Sequence, residues 1–361
     1  MSINRVLEND RGTAAPRRAA EKKPAFWRPF LISFFSMFAA LFLAGVFLLY
    51  GPYHYFRDLW VTTAMSTLHH QWLATDLFSQ KTINEILASN KTIEPSEDTH
   101  AKEVTVRNKK VQDNATTLPA SPADGEHIIN GVGFTRLKTS SYEGWVVRVF
   151  DPSRIYMALS QGFGYSGERV THMVTRLGAY AGVNAGGFID VNGEGNGGKP
   201  DKILISNGKL MASGTGWGTH NIVGFDKEGR LLLTRCKQSQ VDTLTDTYRD
   251  AVEFSPFLIV NGVPSVMEGN GGYGIQPRTA IGQTKDGVVI LVEIDGRNPP
   301  SVIGASVKDL QEIFERYGAY NAANLDGGSS SVVAVGSKLI NNPSSHGGER
   351  FVPDAFLITK Q

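Results

Sequence analysis

The sequence predicts an α+β fold: a mixed β-sheet with helices packed on it, preceded by one transmembrane helix. Three observations predict it. An uncharged apolar run extends from Pro29 to Tyr53, short β-branched runs alternate with glycine turns after residue 126, and a strand–helix–strand pattern is stated twice in that stretch. Thirty-nine glycines against seven methionines in 361 residues fit turn-rich strands better than a helical bundle. The formal net charge of +1 leaves no basic footprint for nucleic acid. The lone cysteine, Cys236, excludes an internal disulfide framework and a cysteine-built metal site.

Residues 1–28 read as a basic tail, with Arg5, Arg11, Arg17, Arg18, Lys22 and Lys23 among Pro and Ala, a composition that stays disordered. The apolar run over 29–53 is long enough to cross a bilayer as a helix. Trp27 at one end, and Tyr50, Tyr53 and Tyr55 at the other, suit the two membrane interfaces. The basic flank places the N-terminus in the cytoplasm and the remainder outside, on the cell membrane. A cleaved signal peptide would have a shorter core ending in an Ala-x-Ala-like site, which this run lacks near its end, so an uncleaved single-pass anchor is expected. Over 54–89, Trp60, Met65, Leu68, Trp72, Leu77 and Ile83 recur near helical spacing, which predicts a membrane-proximal stalk helix. Residues 90–125 are polar and contain Pro95, Pro119 and Pro122, the composition of a flexible linker.

The folded unit is expected over 126–361. Gly144 to Phe150 reads as a strand. Ser166 is the expected N-cap of a helix carrying Val170, Met173, Val174 and Leu177 on one face, with Gly178 as its stop. Short strands follow at 203–205, 222–225, 231–233 and 257–260. Asn207-Gly208, Lys227-Glu228-Gly229 and Asn261-Gly262 separate them, and Asn-Gly between apolar runs signals a hairpin.

The second part of the unit restates the first. Gly287 to Val292 reads as a strand, and Ser306 with Asp309 caps a helix whose face carries Leu310, Ile313, Phe314 and Tyr317. Gly318-Ala319-Tyr320 then leads into Asn324-Leu325-Asp326-Gly327. At a constant offset the caps, the four apolar positions, Gly178-Ala179-Tyr180, Asn184 and Gly187 coincide with them. That register predicts two pseudo-equivalent strand–helix–strand halves in one mixed sheet. Asn184 and Asn324 are shared, whereas Gly186 stands in the first half where Asp326 stands in the second. A carboxylate that only one half carries is not needed to make the turn, and this singles out Asp326.

Charged residues at other strand ends could join it. Arg278 follows Pro277 just before an apolar strand start, and Asp295 and Arg297 flank Gly296. The planar fork of Arg donors suits a phosphate, although a salt bridge or a carbonyl clamp uses the same side chain. Gly327-Gly328 lets backbone approach a ligand closely. The serines Ser329 to Ser331 lack a Gly-x-Ser-x-Gly elbow and a placed histidine, which argues against a Ser–His–Asp hydrolase. The glycine-rich stretch from Gly186 to Gly198 is neither a Walker A loop nor a dinucleotide fingerprint.

Five motifs occur in order across the folded unit: Asn184-Ala185-Gly186-Gly187-Phe188; Pro277-Arg278-Thr279-Ala280-Ile281-Gly282; Asp295-Gly296-Arg297; Asn324-Leu325-Asp326-Gly327-Gly328-Ser329-Ser330; and Arg350-x-Val352-Pro353-x-Ala355-x-Leu357-Ile358. In them the sequence resembles the phosphodiester glycosidase family. That family often has a third Gly where Ser329 stands, and usually Asn where Asp354 stands. The resemblance implies hydrolysis of the anomeric C–O bond of a sugar-1-phosphodiester, such as a GlcNAc-1-phosphodiester, on cell-surface or extracellular glycans. It implies Asp326 as nucleophile or base at the anomeric carbon, with Asp295 as second choice. Arg278 and Arg297 would hold the phosphate, Asn184 and Asn324 would orient sugar hydroxyls, and Gly327, Gly328 and Ser330 would line the substrate. No cofactor is required; a divalent cation among the Asp residues is compatible, though no ligand spacing demands one. The competing expectation is a non-catalytic exopolysaccharide or teichoic-acid binding or assembly protein, which needs no convergent Asp and Arg set.

Overall fold

The computed structural model describes residues 27–67, 69–107, 109–190, 195–214 and 218–361, so the expected basic tail lies outside the described residues except for Trp27 and Arg28. The chain divides into two compact units, Met1–His54 and Tyr55–Gln361. In the first, the helix Trp27–Tyr50 has 24 residues, none of them buried, and its most apolar window has a mean hydropathy of 2.4. By length and composition this helix can cross a membrane.

In the second unit two antiparallel sheets form a sandwich, and a helix covers the outer face of each. In spatial order, the eight-stranded sheet consists of Val263–Pro264, Phe257–Val260, Ala319–Asn324, Arg278–Thr284, Val289–Ile294, Glu143–Val149, Val132–Lys138 and His127–Ile129. Its five-stranded partner runs Lys338–Leu339, Val333–Val335, Ala181–Asn184, Asp354–Ile358 and Ile155–Leu159. Another five-stranded sheet, from Ile203–Ser206 to Tyr248–Glu253, adds Leu204, Val223, Phe225 and Val252 to the core between them. Side-chain alternation assigns the faces. Along Val289–Ile294, Val289 and Leu291 enter that core, while Ile290, Val292 and Ile294 pack with Leu310, Ile313 and Phe314 of the helix Val307–Arg316. Along Asp354–Ile358, Phe356 and Ile358 point inward, while Ala355 and Leu357 pack with Val170, Met173 and Val174 of the helix Val170–Arg176.

The expected single mixed sheet is therefore corrected to several antiparallel ones, two of which form the sandwich. Of the stretches read as halves, the strands before the helices, Glu143–Val149 and Val289–Ile294, pair with each other in the eight-stranded sheet, whereas the strands after the helices part: Ala181–Asn184 lies beside Asp354–Ile358 in the five-stranded sheet and Ala319–Asn324 beside Arg278–Thr284 in the eight-stranded one. Strands apolar on both faces need cover on both, which a second sheet and a helix supply. Local signals fare better. Asn207 and Gly208 have φ of 51° and 70°, Asn261 and Gly262 55° and 78°, as a primed hairpin turn requires. Ser306 and Asp309 form a capping box. Ser166 does not cap its helix: Arg169 holds the N-cap position, and Ser166 lies in a preceding turn closed by its N–H onto the Gly162 carbonyl at 2.8 Å. The helix begins at Val170, and Glu349 accepts the Thr171 N–H at 2.9 Å in its place.

The stalk and the free linker are corrected too. Three short helices, His54–Met65, Trp72–Thr75 and Gln80–Ser89, replace one long one. Within the second unit, Asn90 Oδ1 accepts the Asn270 N–H at 2.9 Å, and Thr63 Oγ1 accepts the Ile275 N–H at 3.2 Å. Lys91–Ile93 pairs with Val266–Glu268. Glu94 accepts from Asn221 Nδ2 at 2.9 Å, Arg235 Nη2 at 2.8 Å and the Phe257 N–H at 3.0 Å. The polar residues that suggested loose chain are partners for buried or half-buried donors of the sandwich.

Candidate active site

The strand Ala319–Asn324 ends beside the end of Ala181–Asn184 and the start of Asp354–Ile358, and a single peptide group ties the three together. The Ala185 carbonyl accepts the Asp326 N–H at 3.0 Å, and the Gly186 N–H donates to Asp354 Oδ1 at 2.6 Å. A Cβ on Gly186 would stand 3.1 and 3.2 Å from the two Asp354 carboxylate oxygens, and one on Gly187 would stand 3.1 Å from Asp201 Oδ1. Three carboxylates thus meet around this glycine turn. Asp354 is fully buried, and its Oδ2, like Asp201 Oδ1, has no hydrogen-bond partner among the described residues. Burial pushes the Asp326 carboxyl up to about 7; the Ser330 hydroxyl and Arg350 oppose this, and the Asp201 charge adds to it. Burial likewise pushes Asp354 up to about 7 against the Gly186 N–H, with Asp326 and Asp201 adding to it. Asp201 is raised chiefly by burial.

Two guanidinium groups face these acids. Arg297 Nη1 donates to Ser329 Oγ at 2.9 Å and Nη2 to Gln276 Oε1 at 3.3 Å, and the charges of Arg350 and Asp326 act on it. Its backbone is left-handed at φ 58°, a conformation costly for any residue with a Cβ. Gly328 makes room for it, since a Cβ there would lie 3.0 Å from Arg297 Nη2. Arg350 stacks over Phe188, 4.7 Å from the ring centroid, and pairs with Asp190, whose Oδ1 accepts the Gly195 N–H at 2.7 Å.

The structure moves several expected residues. Arg278 is corrected from phosphate ligand to carbonyl clamp. It shares the helix-facing side of its strand with Ala280, is 1% exposed, and donates to the carbonyls of Ala305 at 3.0 Å and of Tyr273 and Gly274 at 2.8 Å. Asn184 is fully buried and its amide is engaged at both ends: Nδ2 donates to the Asp326 carbonyl at 2.7 Å, while Oδ1 accepts from Thr279 Oγ1 at 2.8 Å and the Val332 N–H at 3.1 Å. Asn324 is buried and donates to the Ser255 carbonyl at 3.0 Å, while its Oδ1 has no hydrogen-bond partner among the described residues. Ser330 is buried, with its hydroxyl on Asp326. A Cβ on Gly327 would meet the Pro277 carbonyl at 2.8 Å.

Asp295 is drawn into a different cluster. It accepts from Asn341 Nδ2 at 3.1 Å and the Asn342 N–H at 2.9 Å, and burial pushes it up to about 6. Beside it Glu293, buried and accepting from Asn341 Nδ2 at 2.9 Å, is held well above the usual carboxylate range, first by burial and then by the Asp295 charge. Sequence reasoning missed Asp201, Arg350 and Asp354 as site residues. The last two stand in the closing motif that carried the resemblance; Asp201 has no sequence signal. Among the described residues, no three of His, Cys, Asp and Glu are grouped to hold a metal ion.

Comparisons with known proteins fit this layout. The chain is 30% identical over 229 residues to the SPbeta prophage-derived uncharacterized protein YomE of Bacillus subtilis (strain 168), across 62% of this chain and 33% of that one. It is 24% identical over 251 residues to N-acetylglucosamine-1-phosphodiester alpha-N-acetylglucosaminidase of Mus musculus, across 63% of this chain and 46% of the mouse protein. It thus spans less than half the length of either relative. Its fold is similar to the zebrafish N-acetylglucosamine-1-phosphodiester alpha-N-acetylglucosaminidase catalytic domain auto-inhibited by its pro-peptide. That match has a TM-score of 0.54 at 19% identity over 75% of this chain and 96% of that one. A family model described as phosphodiester glycosidase matches residues 177–359, the stretch that holds Asp201, Arg297, Asp326, Arg350 and Asp354, and the chain belongs to the phosphodiester glycosidase family.

Proposed function

We propose that the protein hydrolyses the anomeric C–O bond of a sugar-1-phosphodiester, of the GlcNAc-1-phosphodiester kind, in glycans outside the cell. The observation that carries this is Asp326, a carboxylate poised near neutrality and facing Arg297 and Arg350. Cleaving C1–O releases a phosphate monoester, a good leaving group, so positive charge at the phosphate matters more than a strong acid. Arg297 and Arg350 take the phosphate through their donor forks, Arg350 in the part expected of Arg278. Asp326 meets the oxocarbenium-like carbon as nucleophile, or as base toward water. Gly327-Gly328 lets substrate come close to backbone. The reaction draws on side chains alone and invokes no cofactor. The apolar helix Trp27–Tyr50, with the basic tail on its cytoplasmic side, serves as a single-pass anchor that delivers the second unit to the outer surface. The two strand–helix–strand stretches are read as pseudo-equivalent halves whose first strands pair in the eight-stranded sheet.

The test is to incubate the full chain, in detergent micelles, with a GlcNAc-1-phosphodiester and identify both products. Free sugar plus phosphomonoester is expected, with turnover falling at least about a thousandfold in Asp326→Asn. Release of sugar 1-phosphate would mean P–O cleavage and overturn the reading. Binding without turnover of any sugar phosphodiester would overturn it in favour of a glycan binder.

A further inference from the structure

The helix His54–Met65 and the short helix Trp72–Thr75 turn aromatic side chains outward. Val61, Thr62 and Ala64 are buried, whereas Tyr55, Phe56, Trp60 and Trp72 are between 41% and 63% exposed. These four share one surface. The Tyr55 and Phe56 rings meet edge to face at 5.4 Å, Phe56 and Trp60 stand one helical turn apart, and Trp60 Nε1 donates to the Leu73 carbonyl at 2.8 Å, beside Trp72. An exposed apolar patch of this kind marks a contact with something outside the chain. Trp and Tyr in it suit a membrane interface, where one end of the ring is apolar and the other wet. The length of the link says which contact it is. Four residues separate Tyr55 from Tyr50, the end of the helix that can cross a membrane. Fully extended, that link reaches at most about 18 Å, so the patch starts close to the bilayer that the anchor crosses.

The same segment borders the phosphate site from two directions. His69, three residues before Trp72, has its Nε2 3.4 Å from Asp190 Oδ2, and Asp190 pairs with Arg350. On the helix His54–Met65, Thr63 Oγ1 accepts the Ile275 N–H at 3.2 Å, and the next residue, Gln276, accepts from Arg297 Nη2 at 3.3 Å. The sequence neighbours of the Asp190–Arg350 pair, Ile189 and Phe351, are apolar and each 42% exposed, so apolar surface also flanks the charged groups.

We propose that the face carrying Tyr55, Phe56, Trp60 and Trp72 rests in the outer interface of the bilayer, and that the site beside it takes sugar-1-phosphodiesters whose second ester is a long-chain lipid alcohol of that bilayer. Sugar and phosphate occupy the polar site, and the lipid chain leaves past Ile189 and Phe351 into the membrane. Water places its oxygen on C1 as the C1–O bond to phosphate breaks. One of its hydrogens stays on the new C1 hydroxyl and the other goes to the phosphate, which remains in the bilayer as the lipid monoester. The substrate half rests on the hydrolysis proposed above; the docking half does not.

The experiment uses the full chain in phosphatidylcholine vesicles whose brominated acyl chains quench tryptophan on contact. Trp27→Phe removes the tryptophan of the anchor itself. The remaining fluorescence should be quenched relative to unbrominated vesicles, and Trp27→Phe/Trp60→Phe/Trp72→Phe should lose most of that quenching. No quenching in Trp27→Phe, or the same quenching in the triple variant, overturns the docking; the patch then faces water, a second copy or another protein. The second readout is turnover in unbrominated vesicles, on a GlcNAc-1-phosphodiester of hexadecanol carried in the bilayer and on the methyl diester in solution. Phe56→Ser/Trp72→Ser, which keeps the Trp60 bond to Leu73, should cut kcat/KM for the lipid diester about tenfold or more and leave the methyl diester unchanged. A lipid diester that is unaffected, or that falls in step with the methyl diester, overturns presentation from the bilayer. If neither diester is turned over, the hydrolase reading fails while the quenching still decides the docking. If the double variant does not fold, Trp72→Ser alone carries the same comparison.

Discussion

Replacing Arg278 by Met separates a structural arginine from a functional one. The side chain is 1% exposed and makes three charge-assisted bonds to carbonyls. Such bonds contribute about 1.5–3 kcal/mol each in isolation, but the three sites do not lose equally. The Ala305 carbonyl keeps the Gln276 N–H at 3.2 Å, and the Tyr273 carbonyl keeps Gln276 Nε2 at 3.4 Å. Gly274 loses its guanidinium donor, and an orphaned buried carbonyl costs about 1–3 kcal/mol. Methionine returns most of the packing and removes the cost of burying a cation, which offsets part of the loss. The balance is a destabilisation of about 2–4 kcal/mol, and at about 2 °C per kcal/mol for a domain of this size Tm falls by roughly 4–8 °C. Turnover per folded molecule should change little. The assay is a thermal melt beside product release at a temperature where both proteins are folded. If Arg278→Met keeps its Tm within about 1 °C while turnover falls at least about a hundredfold, Arg278 reaches the phosphate after all and the clamp is wrong.

Two further outcomes follow from the same geometry. Arg297→Gly relieves the left-handed backbone at φ 58°, so it should raise stability by up to about 1 kcal/mol while removing a phosphate donor and cutting turnover about a hundredfold or more; a drop in Tm would show that the strain is compensated. Glu94→Ala leaves Asn221 Nδ2, Arg235 and the Phe257 N–H short of an acceptor, and should cost about 2–3 kcal/mol and open the chain near Pro95 to limited proteolysis; unchanged melting and cleavage would restore the free-linker view.

What the sequence made legible was local, and what it hid was convergence. The Asn207-Gly208 and Asn261-Gly262 hairpins and the Ser306–Asp309 capping box are settled by a few neighbouring residues, and all three form. Ser166 failed as a cap because the chain there forms a separate turn on Gly162, the helix starts only at Val170, and a distant carboxylate, Glu349, serves it instead. Arg278 was misassigned although a local signal existed. Period-two alternation puts it on the side of Ala280 and Gly282, whose absent Cβ would meet Phe314 of the covering helix at 2.7 Å. Residues 90–125 misled for another reason. Polar composition describes solvated chain and chain paired to another segment equally well, and only tertiary placement tells Glu94 from a linker glutamate. Asp201, Arg350 and Asp354 reach the site from strand ends far apart in sequence, which periodicity within one window does not register.

The register of the two halves set Gly186 against Asp326 and suggested that one half lacks an acid. The fold shows why it lacks one. A side chain at 186 would occupy the space of the Asp354 carboxyl, which comes from the next strand of that sheet and stands about a Cβ contact away. The glycine therefore does not leave the first half without a carboxylate; it admits one from elsewhere. It also frees its N–H for that carboxylate, while the carbonyl of the same peptide group secures Asp326. Asn184 completes the arrangement by donating to the Asp326 carbonyl, so the group that looked like a ligand to sugar holds the Asp326 turn in place. The asymmetry that singled out Asp326 is thus half of a pair. The Asp326 backbone is held by the peptide group of a glycine 140 positions earlier as well as by its own turn.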